Sequence, residues 1–293
     1  MMKKLKIIGI GLILSLLTYS LLSIAFSNKV VESIIFFPID PTVEMKIAKT
    51  DLVLLNDKDK EKYIVNWEVQ SQTSDSVYLR QDISLLFEDG RLKAILSDWK
   101  GNSSELTQYA TYSGKDSSRF LALTFHHGEI HHSDETITST HKMSKDHLYI
   151  IDSSFSTLQS FKEVKSEEQK EWKEILDKVT TKQLEYYWEK AIDFFDIPVH
   201  NYDFYSLEEI IDSQESGLLG IDKVRSKIII GKLWESLYKE YFLGIKTTAG
   251  TTIPPIDSSL PLILIAKDYS HLFILIETRE GESIKLSQNL AVD

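Results

Sequence analysis

The sequence predicts an α+β protein behind an N-terminal transmembrane helix. Three features carry this prediction: an uncharged apolar run at residues 7–26, period-two alternation through residues 47–151, and a change to a period of about 3.6 near residue 152. The expected regions are 1–29, a cytoplasmic tip with anchor or signal peptide; 30–155, an antiparallel β-rich region; and 156–293, a helical region ending in a β-hairpin.

Lys3, Lys4 and Lys6 precede IIGIGLILSLLTYSLLSIAF, and no acidic residue occurs before Glu32. At about 1.5 Å per residue, that run matches the roughly 30 Å hydrocarbon core of a bilayer, and the lysines predict an inside N-terminus. The expected partner is therefore the membrane, crossed once, with the bulk of the chain extracytoplasmic. Ser23 and Ala25 put small residues where a signal peptidase accepts them, so secretion after cleavage near Ala25 is the alternative. The apolar stretch Val30 to Ile39, closed by Pro38 and Pro41, suits a stalk or a first edge element.

The clearest hairpin is ISLLF and LKAIL around Asp89-Gly90, a pair suited to the positive φ angles of a type I′ turn. Counting outward pairs Phe87 with Leu92, Leu85 with Ala94 and Ile83 with Leu96, and places all six on one face. Similar segments at 62–70, 76–82, 105–113, 118–126, 129–140 and 146–151 predict an antiparallel meander. Periodicity does not decide between a barrel, a sandwich and an open sheet.

From Ser166 to Phe195, Trp172, Ile175, Leu176, Val179, Leu184, Trp188 and Ala191 are expected on one side of a helix or helix pair that Pro198 ends. Ser206 with Glu209 has the spacing of a capping box. Asp222 to Phe242 reads as a longer helix with Gly244 as its cap. LPLILIA and HLFILIE, followed by SIKLS, are too short to span a bilayer and suit buried strands.

Beyond residue 29 the chain holds 29 basic and 44 acidic residues, a net charge of −15. Such a balance disfavours nucleic acid and anionic headgroups as partners. Cysteine is absent, which removes disulfides and thiol nucleophiles. Five arginines among abundant Lys, Ile and Ser give a composition like that of exported proteins of low-GC Gram-positive bacteria.

The densest chemistry lies in HHGEIHHSDE, where four of the eight histidines fall between His126 and His132. If His127-Gly128 is a two-residue turn, His126, Glu129 and His131 share one face. Two imidazoles and a carboxylate are a partial ligand set for zinc or a similar divalent metal. The competing reading is a solvated hairpin tip, and no HExxH spacing occurs. Ser-x-x-Lys occurs at Ser97/Lys100, Ser139/Lys142 and Ser236/Lys239, the frequency chance gives, without SDN or KTG partners. No GxSxG, P-loop or GxGxxG is present, so no catalytic residue is assigned and no other cofactor is expected. Trp172, Trp188, Trp234, Tyr186, Tyr187, Tyr238 and Tyr241, at helical spacing, are expected in the core, the alternative being a groove for a peptide or glycan. The functional expectation is binding, sensing or assembly at a bacterial cell envelope, with an envelope protein or glycan as partner. The alternative is an exported hydrolase using Asp/Glu or a metal-bound water.

Overall fold

The computed structural model describes residues 34–55, 62–153, 157–214, 217 and 221–290. Five strands, β1 (Met45–Leu55), β2 (Tyr63–Glu88), β3 (Arg91–Gly114), β4 (Ser118–His131) and β5 (Ile137–Ile151), lead into the short β6 (Gln159–Phe161). Helix α1 (Glu167–Phe194) follows, then β7 (Tyr202–Ser206), α2 (Leu207–Ser213) and α3 (Lys223–Leu237), the last continued by a π-helical turn. The chain closes with a small ribbon, β8 (Ile245–Lys246) and β9 (Thr252–Ile253), and a meander of β10 (Leu262–Ala266), β11 (His271–Glu277) and β12 (Ser283–Asn289).

Two sheets dominate, both antiparallel. In the first, β3 runs along one edge of the 26-residue β2. The other edge is shared: β1 pairs residues 64–73, and beyond a register break at Gln72/Val77 β4 pairs residues 79–88. β5 and β6 continue outward from β4. The sheet then curls into a nearly closed barrel, in which β1 meets β5 through side chains. Thr50 Oγ1 lies 2.6 Å from Ser144 Oγ, Leu52 N donates to Asp146 Oδ2 at 2.7 Å, and Lys162 Nζ bridges Asp51 and Asp146 at 2.7 and 2.6 Å.

The first half of β2 alternates because one face is wet: Tyr63, Val65, Trp67 and Val69 fill the barrel while Ile64, Asn66 and Glu68 stay half-exposed. Residues 81–87 are buried on both faces, because the second sheet, in order β12-β11-β10-β7, and α3 pack outside them. There Ile83, Leu85 and Phe125 meet Trp234, Leu237 and Ile274, and the rings of Phe125 and Trp234 stack 5.0 Å apart. Burying each such side chain contributes about 1.5–3 kcal/mol.

The fold class is corrected. The described residues are mostly β, with 51% strand against 24% helix, and do not divide into a β half and a helical half. The reason is β7, a strand too short to stand out from its aromatic neighbours, which joins β10 to β12 in a second sheet. On α1, Leu176, Leu184 and Ala191 are buried, whereas Ile175 and Val179 are 52% and 57% exposed. Asp89 and Gly90 form the hairpin turn with φ of 49° and 79°, and Phe87 pairs with Leu92. A bulge at Lys93 then shifts the register, so that Leu86 opposes Ala94 and Ser84 opposes Leu96. Ala94 and Leu96 consequently face the barrel interior with Leu86, while Ile83, Leu85, Phe87 and Leu92 keep the shared face expected of them, the outer one.

The transmembrane anchor, with the membrane as partner and the cell membrane as location, is corrected as well. Among the described residues no helix is long and apolar enough to cross a membrane. The 28-residue α1 has the length, but it carries acidic and basic side chains along its course, whose desolvation the bilayer core does not tolerate. The run Ile7 to Phe26 and the cleavage position after Ala25 lie outside the described residues.

Candidate functional site

The histidine-rich segment is strand, not turn. His127 and Gly128 sit inside β4 with partners on both sides, Gln81 and Arg80 on β2 and His141 and Thr140 on β5. Glycine suits position 128 because a Cβ there would meet Val77, Thr140 and Arg80 at 3.2–3.4 Å. The reversal comes later, at residues 132–136. Alternation therefore separates the predicted ligands: His126 points into the barrel, while Glu129 and His131 share the opposite face and hydrogen-bond each other. His131 also stacks on Tyr78, with ring centroids 3.7 Å apart. Among the described residues no group of three or more His, Asp or Glu is arranged to hold a metal ion.

His126 instead belongs to a hydrogen-bonded network in the barrel interior. Its Nδ1 lies 3.1 Å from Asp82 Oδ2, off hydrogen-bond alignment, and its Nε2 lies 2.8 Å from Ser144 Oγ. Ser71 donates to Asp82 and accepts from Arg80, whose Nη2 lies 3.5 Å from Asp82 Oδ1. From Ser144 the chain runs through Thr50, Thr124 and Ser84, each hydroxyl 2.6 Å from the next. Arg80, Asp82 and His126 are fully buried. Burial opposes ionisation of Asp82, but the His126 and Arg80 charges outweigh it and lower its pKa.

Asp82, His126 and Ser144 thus follow the carboxylate, imidazole, hydroxyl order of a nucleophilic triad. The surroundings differ from a catalytic site. Ser144 Oγ is engaged with Thr50, and its neighbours in the chain of hydroxyls are buried core residues. Three clefts on the described structure are lined by other residues.

On the outer face of the same strands, His127 and His141 oppose each other between the barrel and α3. Among the described residues neither ring nitrogen of His127 has a hydrogen-bond partner, nor does Nε2 of His141. Burial first, then the Arg80 charge, pushes His127 down to about 4; burial, then His127 and Lys227, pushes His141 to about 3. Both are neutral at pH 7.

The open surface that gathers diverse side chains is a groove along α1. Two cavities, about 460 and 330 Å³, adjoin and share Trp188, Ser206 and Glu209. α1 supplies one wall; β7 and the start of α2 supply the other. Ser206 caps α2 through a reciprocal capping box with Glu209, which fixes that wall. Trp188 is pinned by Nε1 donating to the Leu260 carbonyl at 3.0 Å.

The larger cavity has a charge-balanced wall. Arg119 reaches Glu208 at 2.8 Å and Asp177 at 3.4 Å, Lys145 bridges Glu208 and Asp212 at 3.2 and 2.7 Å, and Tyr149 donates to Asp177 at 2.7 Å. Burial disfavours the Glu208 carboxylate, yet Arg119 and Lys145 hold its pKa below the usual value. The smaller cavity is different: Trp188, Ile192, Phe204 and Leu262 form an apolar floor, and Glu185, Glu189 and Glu209 rim it. Helical spacing puts Trp188 among core candidates with a groove as the alternative, whereas nothing in the sequence marks Phe204, which only the pairing of β7 with β10 brings beside α1.

No protein-family model matches the chain, and neither does any curated protein or solved structure.

Proposed function

We propose that this is a binding protein that holds an extended segment of a partner polypeptide in the groove along α1. The carrying observation is the pair of adjoining cavities that meet at Trp188, Ser206 and Glu209. Concave, partly apolar surfaces with a few convergent polar groups are the usual form of ligand sites. Aromatic side chains fixed at such a surface give contact area at low entropic cost. Phe204 remains 38% exposed although it lies on a sheet, which leaves its ring open to a ligand.

Selection of peptides from a random display library on the immobilised full chain tests this reading. The expected outcome is a set of peptides that compete with one another and lose about tenfold or more in affinity for a Phe204→Ala variant that keeps its melting temperature. Selected peptides that bind Phe204→Ala as tightly as the parent protein, or no selectable peptide at all, contradict the proposal.

A further inference from the structure

Resting on that reading, we propose that the small end of the groove takes a cationic side chain, arginine or lysine, of the bound segment. Glu185 and Glu189 stand one helical turn apart on α1 and both are exposed. Neither takes part in an ion pair among the described residues, whereas in the larger cavity Asp177, Glu208 and Asp212 each have a basic partner and Glu209 is committed to the capping box. The contrast is local: Lys190, next along the helix, is committed to Glu277 at 2.8 Å and to the Gly281 carbonyl at 2.7 Å.

The aromatic floor points the same way. Elsewhere the protein covers aromatic faces with its own cations: Arg91 lies 4.0 Å from the Tyr187 ring centre, Arg225 4.7 Å from Tyr269, and Lys285 within 5.0 Å of both Phe195 and Phe273. Among the described residues no cation covers Trp188 or Phe204, the rings that floor the acidic pocket. A guanidinium or ammonium group entering there would meet ring faces below and two carboxylates at the rim, and its aliphatic stem would lie against Ile192 and Leu262. The net charge of −11 draws such a group toward the surface before contact.

The test uses four blocked pentapeptide pools on the full chain, alike except for Arg, Lys, Gln or Glu at the central position, with binding read by anisotropy of an attached fluorophore. Arg and Lys pools should bind about tenfold tighter than the Gln pool and the Glu pool weakest, from about one cation–π contact plus screened ion pairs. The double variant Glu185→Gln/Glu189→Gln should erase that preference, bringing the Arg, Lys and Gln pools to the same affinity on that variant. Equal binding of all four pools, or a preference that survives the double variant, overturns the cation assignment and leaves the groove reading standing. Absence of binding by every pool overturns both.

Discussion

The barrel interior and the groove along α1 hold the same kinds of side chain, carboxylates, cations and rings, and differ in whether those groups are already answered. Inside the barrel, Asp82 has Ser71, Arg80 and His126 around it, and the hydroxyl chain carries the last proton to the Leu123 carbonyl, 3.3 Å from Ser84 Oγ. At the small end of the groove, Glu185 and Glu189 flank uncovered rings. A polar group that the fold satisfies contributes to stability and specificity of the core, while one the fold leaves open is available to a ligand. His126, on the histidine-rich strand that is the most conspicuous chemistry in the sequence, belongs to the first kind through Asp82 and Ser144, whereas its neighbour His127 is buried without a hydrogen-bond partner among the described residues.

The largest effect that distinguishes the two regions is expected at Asp82. Removing one member of a buried charge cluster leaves the others uncompensated, so Asp82→Ala should destabilise the fold by about 3–5 kcal/mol. Replacing Arg80, Asp82 and His126 together with apolar residues of similar volume should cost far less, and urea denaturation of the two variants compares them. If the single and triple changes cost the same, the interior is not acting as one network.

Acid comes next. His127 and His141 take up protons less readily in the folded chain than in the unfolded one, with folded values near 4 and 3 against an unfolded value of about 6.5. The unfolded chain therefore binds more protons between these limits, so this stability is fully present above pH about 6.5 and is lost as pH falls toward about 3. The shifts correspond to on the order of 3 kcal/mol for His127 and about 5 kcal/mol for His141 over the window. The portion between pH about 6.5 and 5 lies above the carboxylate range, so denaturation across it should flatten in His127→Phe/His141→Phe. An unchanged slope would mean that these imidazoles are not buried as described.

Ser144→Ala should cost about 1 kcal/mol, the net worth of a hydrogen bond. A fluorophosphonate probe should leave Ser144 of the native chain unlabelled, as befits a hydroxyl within the network; labelling at Ser144 would turn the Asp82-His126-Ser144 geometry into an active site. The smallest effect belongs to the groove: Glu185→Gln/Glu189→Gln should shift stability by no more than about 0.5 kcal/mol, because exposed carboxylates without partners hold little of the fold together.

Local chemistry made parts of this legible in the sequence. Asp89-Gly90 marks its turn because both positions require positive φ, and Ser206 with Glu209 marks a helix start because their spacing matches the capping geometry. The rest depends on contacts between distant segments. The bulge at Lys93 carries Ala94 and Leu96 to the barrel face, away from Ile83, Leu85, Phe87 and Leu92, and no residue type announces it. Gly128 looks like a turn residue, but the close approach of Val77 and Thr140 is what it accommodates. A turn at Gly128 would set His126 beside Glu129 and His131, but strand alternation puts it on the other face with Asp82. The groove was less visible still, since Phe204 and Trp188 are separated in sequence and meet only through the second sheet.

Amide hydrogen exchange of the full chain, with and without a saturating arginine-bearing peptide, tests the division between these regions most directly. The account predicts added protection at residues 185–192 and 202–209, with the strand segments around Asp82, His126 and Ser144 unchanged. Protection concentrated on those strand segments, with the groove unaffected, would contradict it.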